Sequence, residues 1–176
     1  IRLGLVGSEM CIRDREKGKL IPFNEFKISP AATILNYGQG LFEGMKAYKT
    51  DNDEIIMFRP EENAKRAANG CVRLSMPEIS KDVFLDGVKS VVKDNVDYIP
   101  NTEKGALYVR PIIFGSGEGL GVAPSSDYVF MVYCSPVGPY FKGGLTPIKL
   151  IVTNDYHRAP LKLSLIHISE PTRPSR

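Results

Sequence analysis

Glycines at positions 38, 40 and 44 constrain the fold of this chain more than any other feature. They lie in the stretch 36–48, where glycine lets the backbone turn tightly or approach another group closely. Tyr37 and Phe42 stand among them and supply a hydroxyl group and an aromatic ring. The second half of the stretch, 44–48, suits a strand, so the sequence predicts a glycine-rich turn that leads into a sheet.

A second informative stretch, 106–111, has the pattern of a half-buried strand. Side chains alternate between the two faces of a strand, so Tyr108 and Arg110 share one face while Leu107 and Val109 share the other. The sequence therefore predicts that the polar pair faces an open space and that the apolar pair faces the core.

The two ends of the chain match one short oligonucleotide read on opposite DNA strands. When residues 5–15 and 163–173 are written as DNA, each segment is the reverse complement of the other. This arrangement resembles a sequencing-library adapter translated into both ends of a coding region, and such segments are set aside in fold reasoning. The sequence thus predicts native protein over 16–162, open at both ends, with 1–15 and 163–176 non-native.

Setting those ends aside changes what composition implies. Lys plus Arg falls from 23 to 18 and Asp plus Glu falls from 20 to 17, so the net charge falls from +3 to +1. The basic balance is therefore not evidence for a nucleic-acid or membrane partner, and neither is expected. Cys71, Cys134 and His157 remain without metal-ligand spacing, which predicts no metal site, no disulfide framework and a reducing compartment. No run of about 18 apolar residues is present, so no transmembrane helix is expected.

The order of predicted elements indicates the fold class. The first helix is expected to begin at Pro60 with acidic residues in its first turn, and the second to follow Ser80 with an apolar stripe at helical spacing. The order of strands and helices lacks the alternation of a parallel sheet, so we predict an α+β domain with a mainly antiparallel sheet and two helices. The predicted elements are extended segments at 20–23 and 26–28, an apolar turn at 31–35, strands at 44–48 and 55–58, helices at 60–74 and after 80, and strands at 107–114, 128–134 and 148–152.

Two later glycine-rich segments do not match phosphate-binding motifs. The segment 115–121 has Leu120 where a dinucleotide fingerprint needs its third glycine, and it has no Gly-Lys-Ser/Thr ending. It is interpreted as a loop that joins two strands. The segment 136–144 is interpreted as a linker to a second domain that begins near residue 145.

Several separate motifs, in this order and spacing, resemble the branched-chain amino-acid aminotransferases, which are fold-type IV enzymes dependent on pyridoxal phosphate. The resemblance covers essentially all of 16–160. It implies a small N-terminal domain at 16–135, an interdomain loop at 136–144, the start of a truncated large domain with its first strand at 145–162, and a homodimer. The motifs are Leu35-Asn36-Tyr37-Gly38-Gln39-Gly40-Leu41-Phe42-Glu43-Gly44-Met45-Lys46-Ala47, Phe58-Arg59-Pro60, Leu107-Tyr108-Val109-Arg110-Pro111 and Pro136-Val137-Gly138-Pro139-Tyr140-Phe141.

The resemblance also implies roles for single residues. Arg66 matches the helix arginine that binds the cofactor phosphate, for which a planar guanidinium is well suited. Tyr108 and Arg110 match the pair at the substrate's end of the pocket that takes part in recognising a carboxylate. The carboxylate expected there is the second one of glutamate and 2-oxoglutarate. The remaining matches are the pocket-lining aromatics Tyr37, Phe42 and Tyr140, which would form the wall of an aliphatic side-chain pocket, and Leu120 and Val122, which would reach the pocket of the dimer partner.

The lysine on which the chemistry depends is not found in the native range. In the resembling family it forms the Schiff base with pyridoxal phosphate and follows a glycine-rich run. Lys162 lies at the junction with the terminal segment and has no such run before it. We therefore expect a full-length parent that transaminates leucine, isoleucine or valine with 2-oxoglutarate, and a chain that is inactive as written.

Two alternatives stay open at this point. Another fold-type IV enzyme, such as a D-amino-acid aminotransferase or an aminodeoxychorismate lyase, shares the fold, and a noncatalytic fragment would also lack a complete active site. The run 37–46 and the pair Tyr108 and Arg110 favour the branched-chain group. The sequence does not distinguish cytoplasm, mitochondrion and plastid.

Overall fold

The computed structural model of the chain describes residues 4–11, 18–23, 25–139, 147 and 149–152, with the backbone alone for 4–11. Its centre is a seven-stranded sheet in which every pair of neighbouring strands is antiparallel. The strand order is β2-β1-β7-β6-β4-β5, and β3 pairs separately with β6. The strands are β1 Gly4–Cys11, β2 Lys19–Pro22, β3 Gly40–Phe42, β4 Met45–Lys49, β5 Ile55–Met57, β6 Ala106–Gly115 and β7 Asp127–Val137.

In the described part of the chain three helices accompany the sheet, α1 Thr33–Tyr37, α2 Pro60–Arg73 and α3 Lys81–Asp94, and a short 3₁₀ turn follows at Val96–Tyr98. Proline stands in the first turn of α2, where its missing N–H costs no helical hydrogen bond. The Ser80 side chain caps α3 by accepting a hydrogen bond of 3.3 Å from the N–H of Val83. None of the helices in the described ranges has both the length and the apolar character needed to cross a bilayer.

The main core lies between the two long helices and one face of the sheet. Phe84 of α3 stacks on Phe130 of β7 with ring centroids 5.9 Å apart, and Val88, Val109 and Val132 around them are fully buried. The opposite face of the sheet has a smaller apolar cluster around Phe114, Val129 and Met131. The long strands β6 and β7 thus bury side chains on both faces, whereas a sheet with a single core buries only one.

The predicted fold class is confirmed, and α2, α3 and the hairpin between β4 and β5 lie where the sequence places them. The segment 31–35 is predicted as an apolar turn, but in the structure positions 33–35 belong to the five-residue helix α1. Five residues are too few to show a helical repeat, and Ala32 before the helix gives no side-chain cap to mark its start. The segment 26–28, predicted as extended, forms no strand.

Strand β1 is the largest addition to the predicted architecture, since it lies inside the terminal segment that the sequence analysis sets aside. It pairs with β7 from Val6↔Val132 to Cys11↔Asp127 and with β2 on its other side. Strand pairing uses main-chain groups that almost every residue carries, so the edge of β7 can accept a strand largely irrespective of its side chains. The non-native origin of 1–15 stays a prediction.

The strand predicted at 148–152 is not formed in its described part, because 149–152 have no regular secondary structure. Leu150, Ile151 and Val152 are more than four-fifths exposed. A strand requires a neighbouring strand for its hydrogen bonds, and none of the strands described here pairs with these residues. Most of the predicted interdomain loop at 136–144 lies outside the described residues.

Candidate functional site

Basic side chains line a cavity of about 370 Å³ between α2 and the β4–β5 hairpin. Among its lining residues Lys46, Arg59 and Arg66 are cationic, and Glu62 is acidic. Glu62 forms an ion pair with Arg59, with 3.4 Å between Oε1 and Nη2. The cavity therefore has an excess of positive charge, which suits an anionic ligand. Its full lining is Gly44, Met45, Lys46, Tyr48, Phe58, Arg59, Glu62, Asn63 and Arg66.

The side chain of Arg66 is held at the wall of this cavity by Glu43. Its Nε donates to Oε1 of Glu43 at 3.1 Å and its Nη2 donates to Oε2 at 2.7 Å, which is the bidentate geometry of an arginine and a carboxylate. Glu43 is 1% exposed, whereas the Arg66 side chain is 48% exposed. One end of the pair is therefore inside the protein and the other faces the cavity.

Asn63 supplies the third donor to the buried carboxylate. Its Nδ2 lies 2.7 Å from Oε2 of Glu43 and 3.3 Å from the carbonyl oxygen of Gly44. Asn63 and Arg66 are three residues apart on α2, so their side chains lie on the same face of the helix. The hydrogen bond to Glu43, opposed by burial, raises the pKa of Arg66 above its usual value, so the guanidinium stays charged.

The position of Glu43 follows from the connection between β3 and β4. The backbone N–H of Glu43 donates to the carbonyl oxygen of Pro111 at 2.9 Å, which ties this connection to β6. The next residue, Gly44, lies directly against Tyr108: a Cβ at position 44 would be 2.3 Å from the Tyr108 hydroxyl oxygen. A side chain at position 44 would therefore force Tyr108 or this connection to shift.

Three of the residues assigned to the substrate form a second cluster on the face of β6 away from the helices. The Tyr108 hydroxyl accepts hydrogen bonds from Nε and Nη2 of Arg110, at 3.2 and 2.7 Å. The Arg110 guanidinium carbon lies 4.3 Å from the centre of the Phe42 ring, within range for a cation–π interaction. Leu107 and Val109 are fully buried on the other face, so the predicted alternation along this strand is present.

Tyr37 lies with the loop after β6 rather than with this cluster. Its hydroxyl donates to the carbonyl oxygen of Leu120, and the side chains of Leu120 and Val122 are 77% and 90% exposed. Gln39 holds the same loop through a hydrogen bond of 3.0 Å from the N–H of Ser125 to its side-chain oxygen. Tyr140 lies outside the described residues.

The structure thus arranges the predicted site residues in three groups. Arg66 lines the cavity, Phe42, Tyr108 and Arg110 contact one another, and Tyr37 contacts the loop that carries Leu120 and Val122. Within the described residues, none of the side chains assigned to the substrate lines the Arg66 cavity. Gly44 connects the first two groups, because it lines the cavity on one side and contacts the Tyr108 hydroxyl on the other.

Sequence reasoning missed Glu43 and Asn63. The one local signal for Glu43 is a charged residue within the otherwise apolar and glycine-containing run 40–45, where a carboxylate is unexpected unless it has a partner. Its partners lie about 20 positions further along the chain, on α2. No local pattern indicates which residues of the helix turn toward it.

No family model matches the chain. Curated relatives match most of it: branched-chain-amino-acid aminotransferase 5, chloroplastic, of Arabidopsis thaliana is 50% identical over 151 residues, which is 85% of this chain and 36% of that protein. The branched-chain-amino-acid aminotransferase of Helicobacter pylori is 45% identical over 130 residues, or 73% of this chain and 38% of that protein. The chain therefore spans about a third of the length of these relatives.

Solved structures with a similar fold are also branched-chain amino acid aminotransferases. The branched-chain amino acid aminotransferase of Escherichia coli superposes with a TM-score of 0.70 over 93% of this chain and 50% of that chain, at 22% identity, which supports the fold alone. The T.th. branched-chain amino acid aminotransferase complexed with N-(5'-phosphopyridoxyl)-L-glutamate has a TM-score of 0.60 at 26% identity and covers 76% of this chain and 40% of that chain.

Proposed function

Because the chain belongs to the branched-chain amino-acid aminotransferase family, we propose that its full-length protein transfers the amino group between a branched-chain L-amino acid and 2-oxoglutarate, with pyridoxal phosphate as cofactor. The observation that carries the proposal is the 50% identity over 85% of the chain to a relative of that name. The relatives reported above favour this function over those of a D-amino-acid aminotransferase or an aminodeoxychorismate lyase.

The cavity beside α2 fits the phosphate group of the cofactor. A guanidinium has five N–H groups; Glu43 takes the Nε–H and one N–H of Nη2, which leaves three for a ligand. Nη1 has no hydrogen-bond partner among the residues that the structure describes, and Lys46 and Arg59 add positive charge to the same cavity. Arg66 would bind the phosphate through these free N–H groups, and the excess positive charge would stabilise the dianion.

When it is bound, pyridoxal phosphate supplies an electron sink that stabilises negative charge at the substrate's α-carbon. The residues described here act by binding and orientation. Arg66 would fix the phosphate end of the cofactor. Gly44 also lines this cavity, and because it has no side chain, the Tyr108 hydroxyl can lie directly against its backbone. The lysine that the chemistry requires is expected in the part of the full-length protein that follows this segment.

The second cluster would recognise the substrate's far carboxylate. Tyr108 holds Nε and Nη2 of Arg110 on one side, and the Phe42 ring lies against the guanidinium. A guanidinium oriented in this way presents its remaining N–H groups to a carboxylate such as that of 2-oxoglutarate. Phe42 with Tyr37 and Tyr140 would form the apolar wall for a branched side chain.

The loop that follows β6 would contribute to a homodimer. Leu120 and Val122 are strongly exposed apolar side chains on this loop, and such side chains suit contact with a second subunit. Both side chains would enter the pocket of the partner subunit. The relatives from Arabidopsis thaliana include proteins named chloroplastic and mitochondrial, which supports a plastid or a mitochondrion as the compartment.

A substrate panel on the full-length protein tests the proposal. We expect leucine, isoleucine and valine to be transaminated with 2-oxoglutarate in the presence of pyridoxal phosphate, and D-alanine to react more slowly. The 176-residue chain, assayed beside it, is expected to be inactive. Faster turnover of D-alanine than of leucine by the full-length protein would contradict the proposal, and so would transamination of isoleucine by the short chain.

A further inference from the structure

We propose that Glu43 is a positioning residue for the cofactor: it holds the Arg66 guanidinium in the orientation that binds phosphate. The inference rests on the proposed function, which assigns the phosphate to Arg66. Glu43 has no role in the sequence analysis. The Glu43 side chain forms an ion pair with Arg66 and is 1% exposed. Arg66 lines the cavity, whereas Glu43 does not.

A buried carboxylate has to be compensated, and among the described residues the side chains that do so all come from α2. Three hydrogen bonds reach Glu43, from Nε and Nη2 of Arg66 and from Nδ2 of Asn63, at 3.1, 2.7 and 2.7 Å. Each carboxylate oxygen therefore has at least one donor. Removing a charge from water is unfavourable even when it is paired, and well-packed apolar residues often give equal or greater stability. The arrangement is therefore poorly explained by stability alone.

The geometry of the pair explains what Glu43 does for Arg66. The carboxylate occupies the Nε edge of the guanidinium, so the side chain is fixed in rotation and Nη1 is turned away from Glu43. Arginine has many rotamers, and an arginine that is already ordered loses less conformational entropy when the ligand binds. Asn63 restrains the carboxylate in turn, through Oε2. The chain of contacts therefore runs from Asn63 to Glu43, from Glu43 to Arg66, and from Arg66 to the ligand.

Comparing two ligands separates positioning from general support of the fold. Pyridoxal phosphate carries the phosphate group and pyridoxal lacks it, so the ratio of their Kd values in the full-length protein reports the phosphate site. Glu43→Gln keeps the shape but places a donor opposite the donors of Arg66 and Asn63. We expect the Kd for pyridoxal phosphate to rise about 10-fold, by analogy with residues that orient the ligands of a metal site, while the Kd for pyridoxal changes less than about twofold.

The double variant provides the control. If Glu43 acts through Arg66, Glu43→Gln adds nothing to the Kd ratio in the Arg66→Ala background. Equal weakening of both ligands by Glu43→Gln, or an additive effect in the double variant, would overturn the inference. Arg66→Ala on its own tests the proposed function. An unchanged Kd ratio in that variant would show that Arg66 does not bind the phosphate, independently of the role of Glu43.

Asn63→Ala is a second variant that tests the role of Glu43 if Glu43→Gln does not fold. It removes one hydrogen bond from the carboxylate and leaves both donors of Arg66 in place. We expect a smaller rise in the same Kd ratio, with the Kd for pyridoxal unchanged. A lowered thermal midpoint with an unchanged ratio in Asn63→Ala would show a purely structural role and would overturn the inference.

Discussion

The Tyr108 hydroxyl accepts two hydrogen bonds from Arg110, from Nε at 3.2 Å and from Nη2 at 2.7 Å, on the face of β6 opposite the main core. The two residues are neighbours on the same face of one strand, so their contact follows from the two-residue repeat of the strand. The tyrosine therefore orders the arginine before any ligand arrives. Since the proposed ligand of Arg110 is the second carboxylate of 2-oxoglutarate and of glutamate, the hydroxyl should matter for these two substrates and not for the branched-chain ones.

Tyr108→Phe tests this relationship in the full-length protein. The variant keeps the ring and removes the acceptor that orders Arg110, and a hydrogen bond to a charged group contributes about 1.5–3 kcal/mol. We expect the KM for 2-oxoglutarate to rise by about 10-fold in steady-state assays, with the KM for leucine nearly unchanged. Tyr133→Phe is the matched control, because Tyr133 lies opposite Arg110 in the β6–β7 ladder and no hydrogen bond joins their side chains. An equal rise in both KM values would count against the assigned role.

Gly44→Ala tests the close contact between the two clusters. A Cβ at this position would lie 2.3 Å from the Tyr108 hydroxyl oxygen, so the tyrosine or the β3–β4 connection has to shift. Overpacking of this kind costs about 1–3 kcal/mol, and we expect a lower thermal midpoint together with weaker binding of 2-oxoglutarate. Gly119→Ala is the control, since nothing lies within 4 Å of the added Cβ there. Similar midpoints for the two variants would mean that position 44 can relax without cost.

How far the sequence predicts the structure depends on the range of the interactions. Pro60 and Ser80 are local signals, and α2 and α3 begin where they indicate. The alternation along β6 is also local, and it correctly separates Tyr108 and Arg110 from the core side. Helix α1 has neither a side-chain cap nor enough residues to show a repeat, so its sequence resembles a turn.

The candidate site was predictable only in part, for the same reason. The role of Arg66 follows from resemblance, but its partner Glu43 is 23 residues away in sequence, and the pairing depends on how α2 packs against the β3–β4 connection. The contact between Tyr37 and Leu120 spans 83 residues and depends on the path of the loop after β6. Contacts of this kind arise from tertiary packing, which single-residue patterns do not encode.

Cys71 gives a prediction for pH. Burial raises the pKa of its thiol from 9.0 to about 11, so the unfolded chain loses the proton at a lower pH than the folded chain does. The stabilising contribution is therefore complete below pH 9 and is lost as the pH rises from 9 toward 11. It amounts to about 2–3 kcal/mol in full.

Urea unfolding of the full-length protein at pH 8, 9, 10 and 11, under reducing conditions, measures this contribution. Cys71→Ala should be somewhat less stable at pH 8 because a buried side chain is shortened, and it should lose less stability than the parent protein as the pH rises to 11. Parallel stability curves for the two proteins would show that ionisation of the buried thiol makes no contribution.

The most direct test of the central claim is a crystal structure of the full-length protein with pyridoxal phosphate bound. We predict that the phosphate oxygens lie about 3 Å from the Arg66 Nη1, within hydrogen-bonding distance, with Glu43 still bound to Nε and Nη2 of the same guanidinium. A phosphate held elsewhere, with Arg66 turned to solvent or Glu43 free of it, would contradict the account.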